Sequence, residues 1–505
     1  VSLRSFTLHD QIERNTLLHG NCTAFVADGQ AITHAQYAAR AASLAAGLAD
    51  AGLAAGDRVA ILAHNGQAYV DLIGAAARLG AIVVPINWRL SAEEVAYVLS
   101  DTTPKLLIVA PDMQPLVAGA ELAGVRKYTT GPGADAGMGW SALASLYLER
   151  AAPTPAAIAD DAGLLIVHTA AVGGRPRGAL LSHRGLLAAA TKSVHAWNLT
   201  SADVQVGVLP LFHLAGIGMT LALMVAAGAT VLLPRFDPKA VVALIDEQRG
   251  SVMGSFPPML GAVLDAAAAA GSKLLGLRIM TGIDAPDTLA RFAAECPDAS
   301  FWVAYGQTET SGSVSTSRYA DRPGSAGLPV GQHTVAIVDD EDRSVPPGTA
   351  GEIVVRGPMV FNGYWNCDAD NAVTFRCGWH HTGDMGRFDA DGYLWYVGRS
   401  PAKELIKPGG GNVYPAEVER ALLEHPALIE AVVFGVPDAQ WGEAIKAVCV
   451  LKSGQTLAAD ALIEFVGQRI ARYKKPKHVV FVAALPKTAA GGTDRVAVKA
   501  AHAAA

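Results

Sequence analysis

Cysteine is scarce in this chain. Its 505 residues hold five, Cys22, Cys296, Cys367, Cys377 and Cys449, scattered, odd in number, and without the spacing of a zinc site or a disulfide framework. That points to a reducing compartment. Basic charge is also short: 40 Lys and Arg stand against 46 Asp and Glu, a net charge of −6, so no basic face is available to neutralise a run of phosphates, and nucleic acid is excluded as the main partner. Long apolar runs are missing too. Leu164 to Ala171 and Met219 to Ala227 fall short of the roughly 18 residues a membrane-spanning helix needs. Val1 to Asp10 carry polar groups and no apolar core of the signal-peptide type, so a cytoplasmic location is expected.

What remains is a hydrophobic, sparsely charged chain, 51% apolar and 17% charged, able to fill large cores. At about 150 residues per domain its length suggests two to four domains. From Asp10 to about Pro111, Ala- and Leu-rich helical stretches alternate with short β-branched runs such as Asp57-Arg-Val-Ala-Ile-Leu-Ala and Ala81-Ile-Val-Val-Pro-Ile, the mark of βαβ units around a parallel sheet. A second alternation runs from Asp161 to about Val303, with Gly163-Leu-Leu-Ile-Val as a buried strand and Leu186 to Trp197 as a helix. Beyond Asp321 the strands become brief and are punctuated by Gly, Pro and Asp. A further break falls at Ser400-Pro-Ala-Lys. The expectation is an α/β protein with a large N-terminal domain, residues 1–400, of two stacked α/β lobes plus a β-rich subdomain, followed by a small mobile α+β domain over residues 401–505.

Three segments carry chemistry. In His168-Thr-Ala-Ala-Val-Gly-Gly-Arg-Pro-Arg-Gly, a Gly-rich turn after a buried strand offers backbone N–H groups to a phosphate, with Thr169, Gly174, Arg175, Arg177 and Gly178 as candidates; a plain strand-to-helix turn with solvated arginines is the competing reading. Tyr305-Gly-Gln-Thr-Glu closes the strand run Phe301-Trp-Val-Ala, where α/β proteins bind ligands. Its aromatic face, hydroxyl and carboxylate suit an adenine ring, a phosphate oxygen and Mg²⁺. In the third segment, Thr382-Gly-Asp, Asp384 can accept both hydroxyls of a ribose, and Arg399 can pair with the same nucleotide. His380 and His381 lack a third ligand and read as structural, and Asp391-Gly392 reads as a hairpin turn.

Together with Leu209-Pro-Leu-Phe-His-Leu-Ala-Gly, Gly282-Ile-Asp-Ala-Pro, Gly363-Tyr-Trp and Lys403-Glu-Leu-Ile-Lys-Pro-Gly-Gly-Gly-Asn-Val-Tyr-Pro, these segments resemble, in order and over nearly the whole chain, the adenylate-forming superfamily of acyl-CoA synthetases, aryl-acid CoA ligases, luciferases and peptide-synthetase adenylation domains. The resemblance implies an AMP-forming acid–thiol ligase: a carboxylate attacks the α-phosphate of MgATP to give an acyl-adenylate and pyrophosphate, then the thiol of coenzyme A displaces AMP. It implies that Tyr305 stacks on adenine beside Gly282, Ile283 and Asp284, with Gly306 and Gln307 in the same motif. Thr308 is expected at the α-phosphate, Glu309 on Mg²⁺, and Asp384 and Arg399 at the ribose. His213 is expected by the acyl carboxylate and the thiol's route, and Lys403 at the hinge. Gly409, Gly410 and Gly411 are expected in a thiol-side loop. Ile217 to Met224 and Phe256-Pro-Pro-Met-Leu are expected to supply an apolar acyl pocket.

The sequence departs from that pattern in four places: Gly411 stands where many members have Glu, Arg399 lies two residues further than usual from Lys403, and the other two concern the phosphates. Ala170, Ala171, Val172 and Gly173 stand where the family's phosphate loop usually carries hydroxyls, and Arg177 stands for its Lys. In the tail Pro486-Lys-Thr-Ala-Ala-Gly-Gly-Thr-Asp-Arg, Gly492 occupies the place of the family's Lys, with Lys487 and Arg495 the nearest cations. Two alternatives therefore stay open: a degenerate member that binds AMP or acyl-CoA with little ligase activity, and a stand-alone adenylating enzyme serving a separate carrier protein. The expected partners are a small apolar carboxylic acid, ATP and CoA, with a homodimer as the commonest assembly.

Overall fold

The computed structural model describes residues 3, 5–131, 139–169, 176–399, 405–408, 413–487 and 493–503. The expected sites Gly174, Arg175, Lys403, Gly409, Gly410 and Gly411 lie outside the described residues, as does Gly492.

Two large sheets form the N-terminal part. The seven-stranded sheet places Trp140–Ala142, Arg126–Thr129, Leu106–Val109, Arg58–Leu62, Ile82–Pro85, Gly163–Thr169 and Arg177–Ser182 side by side. All neighbours are parallel except the last pair. Its central strands are apolar on both faces, with Val59 to Leu62 and Leu106 to Val109 all buried, as in a parallel sheet covered on both sides; the helices His34–Asp50 and Gln67–Leu79 pack on one another, the second also on Ile82–Pro85. The first of these helices starts where Thr33 and Gln36 form a reciprocal capping box.

The nine-stranded sheet runs Leu328–Pro329, Gly312–Arg318, Ser300–Gln307, Ile279–Gly282, Val252–Ser255, Val204–Gly207, Ala229–Leu232, Thr23–Ala27, Gln30–Thr33. The two α/β lobes are present, but they are not contiguous in sequence. Thr23–Ala27 leaves the first alternation to pair with Ala229–Leu232 in the second sheet, while Gly163–Thr169 joins the first sheet beside Ile82–Pro85. This exchange ties the lobes into one continuous core.

The β-rich part is a four-stranded antiparallel sheet, Thr334–Val338, Gly351–Arg356, His380–Phe388 and Leu394–Arg399. His380 and His381 are buried in it, and His381 Nδ1 lies 2.9 Å from Glu352 Oε2, as structural residues would. The C-terminal part packs the helices Pro415–Leu423 and Ala459–Gly467 on a sheet of Leu428–Asp438, Gly442–Leu451 and His478–Val482. It has its own core, including Ile406, Val418, Leu422 and Ile445. Among the described residues no helix is long and apolar enough to cross a membrane.

Candidate active site

Ser300–Gln307 is the last parallel strand before the antiparallel edge of the nine-stranded sheet, and its carboxyl end opens onto a cavity of about 440 Å³. Chains that leave parallel strands there do not continue the ladder, so side chains and backbone groups are free to line a crevice. Tyr305, Gly306, Gln307, Thr308 and Glu309 all reach it, as do Gly282, Ile283 and Asp284 from the neighbouring strand end and Thr169 and Arg177 from the other sheet. Asp384 completes the wall from the four-stranded sheet. Gly282 is required there by close approach: its φ is +147°, and a Cβ would come within 1.8 Å of Ser255 O.

The polar groups are pre-arranged. Asp384 Oδ2 accepts the Tyr305 hydroxyl at 2.8 Å and Gln307 Nε2 at 2.6 Å, so one oxygen of this buried carboxylate is already shared by two donors. The Tyr305 ring lies stacked against Tyr396, centroids 6.0 Å apart and planes 30° apart. Arg399 is placed by its backbone, which pairs with Asp384 across the sheet.

Glu309 is buried, and its Oε1 accepts the Tyr364 hydroxyl at 2.8 Å and Thr169 Oγ1 at 3.2 Å. The Arg177 guanidinium lies over the Tyr364 ring, 3.9 Å from its centroid, and pairs with Asp370 at 3.3 Å. Burial, and then the Glu309 charge, pushes the Tyr364 hydroxyl far above its ordinary value, so it stays a donor. The set is one carboxylate, two hydroxyls and one guanidinium. No cluster of three or more His, Cys, Asp or Glu able to hold a metal occurs among the described residues. The single buried carboxylate of Glu309 fits Mg²⁺ held by one carboxylate together with phosphate oxygens, the usual arrangement for this ion.

A second cavity of about 300 Å³ adjoins the first, with Thr169 and Thr308 on both walls. His213, Arg89, Phe212 and Phe256 to Met259 line it from the large part, and Trp441, Tyr473 and Lys474 from the small one. His213 caps the helix Leu214–Ala226, its Nδ1 accepting Ala215 N–H at 3.1 Å. Burial, and then Arg89, lowers its pKa, which keeps the ring neutral with the hydrogen on Nε2. The expected pocket is only half found: Phe256 to Met259 line the cavity, as does Ala215 from the helix Leu214–Ala226, but Ile217, Met219 and Leu221 to Met224 are buried in the core, where a helix that is apolar all round places most of its side chains.

The parts meet at a buried ion triad. Lys474 Nζ lies 2.5 Å from Glu94 Oε1 and 2.6 Å from Glu417 Oε1, and Glu94 also accepts Ala471 N–H at 3.0 Å. Burial opposes the Lys474 charge, but Tyr473 and both carboxylates outweigh it and hold its pKa above the ordinary value. Glu94 is lowered, Lys474 overcoming burial. Glu417, the second carboxylate on one ammonium, is pushed up to about 7 by burial against that attraction.

Of the residues singled out in the sequence, the structure thus brings Thr169, Arg177, Gly282, Ile283, Asp284, Tyr305, Gly306, Gln307, Thr308, Glu309 and Asp384 to one cavity and His213 to its neighbour. Gly178 lines neither. It lies opposite Ile166 and His168, where a Cβ would come within 2.5 Å of Ile166 Cγ2. Sequence reading missed Tyr364, Tyr396, Lys407 and Tyr414, which line the first cavity. Tyr364 carried a signal as part of Gly363-Tyr-Trp, and Lys407 and Tyr414 as part of the segment Lys403 to Pro415; Tyr396 carried none.

The family model described as AMP-binding enzyme matches residues 12–365, and that of the AMP-binding enzyme C-terminal domain matches residues 417–491. The chain is 36% identical over 497 residues to an indoleacetate–CoA ligase of Aromatoleum aromaticum, covering 96% of each. It is 34% identical over 485 residues to a feruloyl-CoA synthase of an Amycolatopsis species, covering 95% of each. Its fold matches a double mutant of o-succinylbenzoate CoA synthetase from Bacillus subtilis, bound to a product analogue, with a TM-score of 0.86 at 27% identity over 97% of each chain.

Proposed function

Because the chain belongs to the AMP-binding enzyme family, we propose that it is an AMP-forming ligase that joins an apolar carboxylic acid to coenzyme A through an acyl-adenylate. The observation that carries this reading is the single cavity that holds Tyr305, Thr308, Glu309 and Asp384 together, with a second cavity opening at Thr308.

The adenine base lies against the Tyr305 face and the Gly282 to Asp284 segment, and the ribose hydroxyls donate to Asp384. Arg399 assists there from the neighbouring strand, where it is paired with Asp384. As the acid's oxygen attacks the α-phosphorus, charge grows on the phosphoryl oxygens, and fixed donors lower that barrier most when they need no reorganisation. Thr308 and the Arg177 guanidinium, held by Asp370 and the Tyr364 ring, are such donors. Glu309 would hold Mg²⁺, which when bound neutralises phosphate charge. Tyr364 and Thr169 fix the carboxylate that holds it. His213 presents Nε2–H in the second cavity and orients the acid's carboxylate. The thiol approaches through that cavity, the first being filled by the nucleotide.

Relatives named for indoleacetate and feruloyl-CoA and the aromatic wall of Phe212, Phe256, Trp441 and Tyr473 make aryl and arylalkanoic acids the first to try. The test is a panel of such acids with short and long aliphatic ones, scored for acid-dependent pyrophosphate–ATP exchange and then CoA-dependent AMP release. Both are expected with at least one acid. ATP that stays intact with every acid, while AMP or acyl-CoA still binds in calorimetry, would replace this reading with that of a binding protein.

A further inference from the structure

The two imidazoles on the second cavity have opposite polarity. His213 spends its Nδ1 as an acceptor for Ala215 N–H, so what it can offer is Nε2–H, a donor. His168 is the reverse. It is the penultimate residue of the strand Gly163–Thr169, its side chain is 7% exposed, and its Nε2 lies 3.0 Å from Asp101 Oδ2. In the neutral ring the carboxylate holds the hydrogen on Nε2, which puts the lone pair on Nδ1. That Nδ1 is buried with no hydrogen-bond partner among the described residues. A buried acceptor without a partner is costly unless something else donates to it.

The surroundings support the ring rather than use it. Across the strand pair His168 faces Gly178, where a Cβ would come within 3.3 Å of His168 Cε1 and Nε2, so the glycine leaves room for the imidazole. Asp101 comes from the helix Ala92–Thr102, and Asn366 donates to its carbonyl at 3.0 Å. The other titratable groups on this cavity wall are Arg89, His213, Tyr473 and Lys474, all donors or cations in their ordinary states. His168 is the one imidazole among them whose Nδ1 is not already taken by a hydrogen bond among the described residues.

The geometry points to His168, oriented by Asp101, as the general base that takes the thiol proton in the second half-reaction. The inference rests on the proposed ligase reading. In the step, the S–H bond breaks and its proton passes to His168 Nδ1. Sulfur forms a bond to the acyl carbon, the bond from that carbon to the phosphoryl oxygen breaks, and its electron pair leaves with AMP. The imidazolium beside Asp101 then returns its proton to solvent. A histidine suits this because a CoA-type thiol, with an ordinary pKa near 8.5, is mostly protonated at neutral pH.

The test is rapid mixing of enzyme-bound acyl-adenylate with CoA between pH 6 and 9, scored for thioester, alongside pyrophosphate–ATP exchange on the same preparations. His168→Gln is expected to slow thioester formation by about 100-fold or more at pH 7, with the gap narrowing toward pH 9 as thiolate forms unaided, and to leave exchange within about threefold. Asp101→Asn is expected to slow the same step by a smaller factor. Added imidazole is expected to recover part of the rate in His168→Gly. Thioester formation at the wild-type rate in His168→Gln, or equal losses in both half-reactions with no dependence of the gap on pH, would overturn the assignment. Absence of exchange in the wild-type enzyme would instead overturn the ligase reading beneath it.

Discussion

Removing the Tyr364 hydroxyl probes the nucleotide cavity with one atom. Tyr364→Phe keeps the ring that stacks under Arg177 and packs at 4.8 Å on Phe361, so the fold and the guanidinium platform survive. It loses the 2.8 Å bond to Glu309 Oε1. A hydrogen bond to a charged acceptor contributes about 1.5–3 kcal/mol. Thr169 Oγ1 still donates to the same oxygen at 3.2 Å, which restrains the carboxylate, so the expected loss lies around the low end of that range, about 1–2 kcal/mol, or roughly 5- to 30-fold in adenylation rate. If Glu309 holds Mg²⁺, the loss should also appear as a higher Mg²⁺ requirement. The assay is acid-dependent pyrophosphate–ATP exchange over a Mg²⁺ titration. Tyr364→Leu, which also removes the ring beneath Arg177, should lose about 1 kcal/mol more. Exchange within twofold of wild type in Tyr364→Phe, at an unchanged Mg²⁺ requirement, would refute the reasoning.

The triad at the domain boundary makes stability depend on pH. Because Glu417 is pushed up to about 7 in the folded chain, its contribution is fully present below its ordinary value and is lost as pH rises through 7; chemical denaturation should show a wild-type advantage over Glu417→Gln that shrinks between about pH 4.5 and 7. Lys192, buried on the helix His183–Trp197 with the Ser313 hydroxyl as its hydrogen-bond partner, is pulled down to about 8 by burial. Its folded form disfavours the charge, so the cost is greatest below pH 8, and Lys192→Met is expected to stabilise the protein by about 2 kcal/mol at pH 7, less toward pH 10, in the same denaturation assay. Gly492→Lys restores the cation that the family resemblance places in the tail and is expected to raise pyrophosphate exchange tenfold or more; an unchanged rate would mean that another cation already serves the α-phosphate.

Much of the architecture was legible because its signals are local. Gly163-Leu-Leu-Ile-Val, read as a buried strand, opens the strand Gly163–Thr169, and Leu186 to Trp197 lies in the helix His183–Trp197. The motif residues Tyr305 to Glu309 sit at a parallel strand's end, as their placement after Phe301-Trp-Val-Ala implied. The site's partners were harder to read. Tyr364 meets Glu309 across 55 residues, His168 meets Asp101 across 67, and Lys474 meets Glu94 across 380. No period of 2 or 3.6 encodes such pairs. Leu214–Ala226 misled for a related reason: an apolar helix looks the same whether it lines a pocket or fills a core.

By itself, then, the sequence determined the alternation of strands and helices, the order of the motifs, and which residue types could grip a base, a sugar and a phosphate, since each depends on neighbours along the chain. Only the tertiary structure decided that the two α/β sheets trade strands, that Asp384 Oδ2 is already held by Tyr305 and Gln307, and that the two imidazoles of the second cavity are engaged through opposite nitrogens, Nδ1 of His213 and Nε2 of His168. Those outcomes follow from which buried polar groups meet once distant segments pack, and a buried polar group takes whatever partner packing brings within reach.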